Sequence, residues 1–406
     1  MDIATQSAEL ETWRLALAVG VLMVSAFCAH LLLLPGPNRS VRLPLGVFFL
    51  SNTARLVALP VEHLTLGNPM PLMSLALDLA EVPLSTVQPM LLWLYVRRLT
   101  ADPTRPDAPM RTRLHAAPVV YAVVTYVFVL AQQAGVSAGL DVAVQLQPVT
   151  IGLLWSVTLL FYALVPLYAG LTVRRLLAYR TRLKDLYAST EGRELRWIWA
   201  LTAVVALFWG VNLISILLEA AGTAKAMLTP AVSFFAGALA QIALLWTIAI
   251  WGVRQQPGMM PKRPVAVEKR APTKTVRKYG HAAQDGAHLA RIAGKIDKSM
   301  AEGRLYRDPE LSLWDLAERV GARRHYVSQA LNERLGQNFF DYVNGFRIEE
   351  AKRQLAETEG SILSITYDVG FNSRSVFYRA FKQKVGMTPS EYRQSATADD
   401  RQPARA

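Results

Sequence analysis

The chain has 406 residues, enough for two or three domains with cores of their own. With 44 basic and 31 acidic residues it carries a formal charge of +13, so any surface it meets through charge is anionic, either phosphate or lipid. Its one cysteine, Cys28, excludes a disulfide framework and a cysteine-built zinc cluster.

The long apolar runs lie almost entirely before residue 253. A membrane crossing needs about 20 apolar residues as helix, because lipid cannot satisfy open backbone groups. Seven such stretches are read, at about 13–34, 43–60, 70–95, 117–133, 148–171, 197–218 and 229–252. The third carries Pro71, Pro83 and Pro89, which predicts a kink. Trp13, Trp93, Tyr95, Trp197 and Trp251 fall near segment ends, where amphipathic rings favour the interface. No cleavable signal is expected: the start is acidic (Asp2, Glu9, Glu11), and Trp13–Leu34 is too long for a signal-peptide core.

Loop charge predicts orientation. The loops at 35–42, 96–116 and 172–196 together hold 14 lysines and arginines, whereas the alternating loops offer only Lys225. Such a bias puts the N-terminus outside and everything after Trp251 in the cytoplasm. A soluble protein with buried helices would not alternate in this way.

Ionisable groups inside the spans are costly and need partners. Arg55 lies near the outer end of the second span, and Asp78 and Glu81 share one face of the third. Antiparallel packing would bring Arg55 level with Asp78 as an ion pair. Two readings remain: a pair that simply locks two helices, or an outer-half cluster of Arg55, His63, Asp78 and Glu81 that lines a pocket sensing a small molecule.

Residues 254–285 change character, with four prolines, two glycines and eight basic residues, and are expected to form a flexible basic linker. Lipid contact and positive-inside anchoring compete there with a direct role on DNA phosphates.

From 286 the apolar period is that of soluble amphipathic helices. A helix at 287–302 buries Leu289, Ile292, Ile296 and Met300. Ser312 stands as an N-cap with Asp315 in capping-box spacing; Leu313, Leu316, Ala317 and Val320 follow, and Gly321 closes the helix. A second helix at 324–335 keeps Val327, Ala330 and Leu331 inside and ends at Gly336. This helix-turn-helix outline then recurs 49 residues later. Ser361 caps a helix with Ile362, Ile365 and Val369, closed by Gly370, and Ser373 caps 374–385, with Phe377, Ala380 and Phe381 inside and Gly386 at the end. Between the units, 338–357 forms a helix of about 30 Å with Phe339, Val343, Phe346, Ala351 and Leu355 on its apolar side. Successive faces of a major groove lie about 34 Å apart, so one chain could seat two recognition helices on one side of a duplex.

The run Ile365, Asp368, Gly370, Phe371, Ser373, Ser375, Phe377, Arg379, Phe381, Lys382, Gly386, Pro389, Tyr392 and Arg393 resembles the C-terminal signature of the AraC/XylS family of transcription regulators. Leu316, Ala317, Gly321, Arg324, Ser328, Gly336, Phe340, Arg347 and Ala351 fit the first unit, and the likeness covers about 286–393. Arg323 stands where the family usually has a capping serine, and Val376 where an aromatic is common.

The resemblance implies base-reading roles for His325, Ser328 and Gln329 on the first recognition helix, and for Arg374, Ser375, Tyr378 and Arg379 on the second. Arginine can pair with guanine, glutamine with adenine, and serine with either. Asn332, Lys382 and Lys384 suit phosphate. The alternative for each is an ordinary solvated helix face. Double-stranded DNA and membrane lipid are the expected partners, and the resemblance adds RNA polymerase and a homodimer.

The expected fold is all-α: a polytopic seven-helix transmembrane bundle (1–253), the linker (254–285), an AraC-type domain with two helix-turn-helix units (286–394) and a disordered tail (395–406). The expected location is the bacterial cytoplasmic membrane. No catalytic residue, cofactor or metal is expected, since neither a phosphate-binding glycine loop nor HExxH or GxSxG is present. A transporter or membrane sensor with a merely regulatory tail is the competing class. It would be marked by an inverted repeat, and none is apparent.

Overall fold

A computed structural model describes residues 3–36, 38–57, 60–61, 71–102, 109–110, 112–220, 230–255, 258–259 and 282–399. Among these residues the chain is helical with connecting turns, has no strand, and has an isolated β-bridge between Tyr187 and Ser312. It divides into two compact units: Met1–Leu176 with Leu195–Gly258, and Leu177–Glu194 with Met259–Ala406.

The first unit is built from α1 (Ile3–Leu33), α2 (Arg39–Leu56), α3 (Pro71–Leu99), α4 (Thr112–Ser137), the short α5 (Asp141–Gln145), α6 (Gln147–Leu186, whose last ten residues belong to the second unit), α7 (Arg196–Ala220) and α8 (Pro230–Arg254). The described residues of each of the seven apolar stretches are therefore largely helical. Among the described residues three helices are long and apolar enough to cross a membrane: Leu15–Leu33 within α1, α4 and α6. Polar contacts stitch neighbours together, as expected where apolar packing alone is not selective. Asn52 Nδ2 donates to the buried Ser25 Oγ at 2.7 Å, Tyr126 Oη to the Ala76 carbonyl at 3.0 Å, and Trp209 Nε1 to the Tyr162 carbonyl at 3.1 Å.

The outer faces are apolar. Only 17% of the apolar stretch of α4 is buried, and Met23, Val124, Leu159 and Leu207 are exposed. One aromatic departs from the interfacial expectation: Tyr95 is buried, and its hydroxyl faces the Gly252 carbonyl at 3.5 Å. Tyr95 lies on α3 where that helix meets α8, a pairing that hydropathy does not contain. Pro71 is the first residue of α3, where its missing N–H costs nothing, while Pro83 and Pro89 lie inside a helix assigned without a break.

The second unit holds α9 (Ala282–Ala301), a 3-10 turn (Leu305–Arg307), α10 (Leu313–Val320), α11 (Arg324–Glu333), α12 (Phe339–Glu357), α13 (Ile362–Asp368), α14 (Arg374–Val385) and α15 (Pro389–Asp399). Helix α9 starts five residues before the expected position, and α15 extends the fold through 395–399, part of the stretch expected to be a disordered tail. Most of the basic linker (256–257 and 260–281) and residues 400–406 lie outside the described residues.

One core cluster joins α12 to the second repeat. Ile348, Ala351 and Leu355 pack with Ile365, Val369, Phe371, Phe377 and Phe381. An aromatic chain runs from Phe371 to Phe377, Phe381 and Tyr392, with successive centroids 5.3, 5.5 and 5.6 Å apart. The phenylalanines of the second recognition helix are thus core residues and not stacking platforms for bases. Phe346, on the expected apolar side of α12, is half-buried and lies between Tyr306 and Tyr342.

Candidate nucleic-acid interface

Both repeats begin with a capped helix. The Ser312 side chain accepts from the Asp315 amide while the Asp315 carboxylate accepts from the Ser312 amide, a full capping box, and Gly321 ends α10 at φ 67°. Ser361 likewise accepts from the Ser364 amide at 3.0 Å. Here the turn glycine meets two demands at once. Gly370 has φ 96°, and a Cβ there would lie 2.5 Å from the Tyr306 carbonyl oxygen, so neither the conformation nor the space tolerates a side chain.

The recognition helices differ from expectation at their starts. Arg323 is the N-cap of α11 and makes no side-chain cap bond. Ser373 is the N-cap of α14 but does not cap either: its hydroxyl faces Ser375 Oγ at 3.3 Å. Neither recognition helix is therefore capped by the side chain of its own N-cap residue.

On α11, His325 is exposed while Ser328 and Gln329 are half-buried. Gln329 Nε2 donates to Glu333 Oε1 at 3.0 Å, and Asn332 folds back to donate to the Ser328 carbonyl at 2.9 Å. On α14, Arg374, Ser375 and Arg379 are exposed. The Arg374 guanidinium lies 4.8 Å from the Tyr378 ring centroid and donates to the Tyr378 hydroxyl at 3.1 Å. Burial raises the affinity of the Tyr378 phenol for its proton, but hydrogen bonding with Ser390 and Arg374 and the nearby positive charge outweigh it and leave the phenol below its usual range. Lys382 and Lys384 are exposed in the last turn of α14, where the helix dipole favours cations. The structure thus puts all seven expected base-reading residues on the two second helices, with exposed Arg374, Arg379, Lys382 and Lys384 on α14.

What holds these helices was less legible. Arg347 of α12 is fully buried, which burial alone would make costly and which brings its pKa down to about 10. Its Nε donates to the Tyr306 carbonyl at 2.7 Å, and Nη2 to the Asp308 carbonyl at 2.8 Å. Nη1 donates to Asn344 Oδ1 at 3.2 Å, and the guanidinium lies 5.5 Å from the Phe371 ring centroid. One residue therefore ties the turn before the first repeat to the core of the second. Sequence reading named Arg347 only as a position of the family likeness. An arginine on an otherwise amphipathic helix was the available signal.

In the first unit, Arg55 pairs with Glu81, at 2.6 Å. Arg55 Nη2 also faces Asn52 Oδ1 at 3.4 Å, so Ser25, Asn52, Arg55 and Glu81 form a polar chain across α1, α2 and α3. Asn52 and Ser25 were not foreseen, because small polar residues in apolar runs carry no charge signal. The Asp78 side chain and the whole of His63 lie outside the described residues.

The family model described as a helix-turn-helix domain matches residues 316–395. Over 111 residues the chain is 36% identical to an AraC-like transcription regulator of Streptomyces lividans, covering 26% of this chain and 36% of the relative. Over 89 residues it is 38% identical to an HTH-type transcriptional regulator of Staphylococcus aureus (strain COL), covering 22% of this chain and 12% of that protein. The match thus spans about a third of the Streptomyces relative and about an eighth of the staphylococcal one. Among solved structures, the C-terminal domain of AraT, a response regulator from Geobacillus stearothermophilus, aligns at a TM-score of 0.24 with 26% identity, over 29% of this chain and 88% of that one.

Proposed function

The C-terminal segment is an AraC-type helix-turn-helix domain, and from that premise we propose that the whole chain is a membrane-held, sequence-specific DNA-binding transcription regulator. In this reading seven helices cross the cytoplasmic membrane with the N-terminus outside, and the C-terminal domain reads double-stranded DNA in the cytoplasm. The observation that carries it is the exposure of Arg374, Ser375 and Arg379 on a core-locked second helix, in a chain whose N-terminal helices turn large apolar side chains outward. Lipid accounts for the second feature and duplex DNA for the first. Loop charge supports the orientation, since it puts the basic tail and the nucleic acid on the same side.

The division of labour follows from residue chemistry. Arg374, Arg379, Ser375 and Tyr378, with His325, Ser328 and Gln329, read base edges, and Asn332, Lys382 and Lys384 hold phosphates. Arg55 and Glu81, with Asp78 and His63, form the cluster through which a small-molecule signal reaches the helices. A homodimer recruiting RNA polymerase completes the reading. Chromatin immunoprecipitation with sequencing of the full chain tests it: discrete enriched sites are expected, and a flat genomic profile would overturn it. Reporter fusions at residue 393 test the topology.

A further inference from the structure

Residues Leu177–Glu194 belong to the second unit although they lie between the fifth and sixth apolar stretches. The Ala188 amide donates to the Leu311 carbonyl at 3.1 Å beside the Tyr187–Ser312 bridge, so the segment runs along the start of the first repeat. The Ala188 carbonyl then faces Arg347 Nη1 at 3.3 Å and Asn344 Nδ2 at 3.4 Å on the connecting helix. Ser189 Oγ accepts from Asn372 Nδ2 at 3.1 Å, in the turn of the second repeat. Three consecutive residues thus touch both repeats and the helix between them.

These contacts are interior. Tyr187 is 3% exposed, Ala188 1% and Arg347 0%. A buried guanidinium must have its donors met, and one acceptor for Arg347 comes from this segment. The recognition faces stay open at the same time: His325, Arg374, Ser375 and Arg379 are exposed. A segment that blocked DNA would cover them.

We propose that Tyr187–Ser189 is a clasp, a built part of the DNA-binding unit that fixes the placement of its two repeats. Because the segment continues α6, movement of that helix would reach the repeats through it. The inference rests on the proposed function. A rigid relation between recognition helices matters only for a site spanning two groove faces, about 34 Å apart. Loss of the clasp should therefore spare contacts to one groove face.

The test uses the full chain in lipid nanodiscs. In a Cys28→Ser background, Ser189→Cys with Asn372→Cys should crosslink under mild oxidant far above either single-cysteine control. DNA is supplied as a randomised 40-base-pair library, and the duplex that the parent enriches becomes the probe. The oxidised double variant should bind that probe within twofold of the same sample after reduction, and Ala188→Pro should bind it at least tenfold more weakly than the parent. A probe shortened to one groove face should be bound within twofold by parent and Ala188→Pro alike.

Background crosslinking would overturn the clasp as a contact. Parent-like binding by Ala188→Pro, or loss of binding on oxidation, would overturn its role; the latter would make the segment a blocker. Equal loss on both probes would also overturn it, since that is the signature of a misfolded domain. If the parent enriches no duplex, the DNA-binding reading falls and takes the clasp's role with it, whereas the crosslink alone still decides the contact.

Discussion

Arg307 Nη2 meets Glu350 Oε1 at 2.6 Å, which fastens the turn before the first helix-turn-helix unit to the helix that joins the two units. Glu350 also accepts from Arg353 and Gln354 on its own helix. Burial would raise the carboxyl pKa, but these three hydrogen bonds and the Arg353 charge outweigh it and bring it to about 2.

A depressed carboxylate contributes stability that is complete above its unfolded pKa and fades as pH falls through the folded one. Protection of the α12 amides from hydrogen exchange should therefore decline between about pH 5 and pH 2. Glu350→Gln should lose about 1–2 kcal/mol at pH 7 and show a flatter profile across that window. A variant with the parent's profile would mean that the pair is decorative.

Gly370→Ala should be the most damaging single-methyl change in the second unit. It forces an L side chain to φ 96° and drives its Cβ toward the Tyr306 and Arg307 carbonyls. About 2–4 kcal/mol is expected, seen as lost exchange protection in α13 and α14. A loss below about 0.5 kcal/mol would show that the turn can relax.

Arg379→Ala and Lys382→Ala should separate by specificity. The first should cost about 1–3 kcal/mol on the enriched duplex and little on unrelated DNA. The second should weaken both and lower the salt slope by about 1. Fluorescence anisotropy across a salt series measures both, and an equal loss on every sequence would make Arg379 a phosphate contact.

Glu81→Gln and Asp78→Asn should each change the basal output of a promoter reporter, because Arg55 pairs with Glu81 and Asp78 belongs to the same proposed cluster. Membrane fractionation should show both variants inserted. Parent-like output from Glu81→Gln would leave the pair a helix lock with no part in signalling.

The sequence by itself determined what local chemistry decides. Capping serines Ser312 and Ser361, turn glycines Gly321 and Gly370, and apolar periods were enough to locate the two repeats, because each depends on residues within a turn or two. The apolar stretches likewise announced helices, as length and hydropathy are local quantities. Only the tertiary structure decided which distant groups meet: Arg55 with Glu81, Tyr95 with Gly252, and Ala188 with Arg347 across 159 residues. Backbone carbonyls and small polar side chains make such contacts, and every sequence has them at every position, so no pattern of residue types marks the ones that fold will bring together.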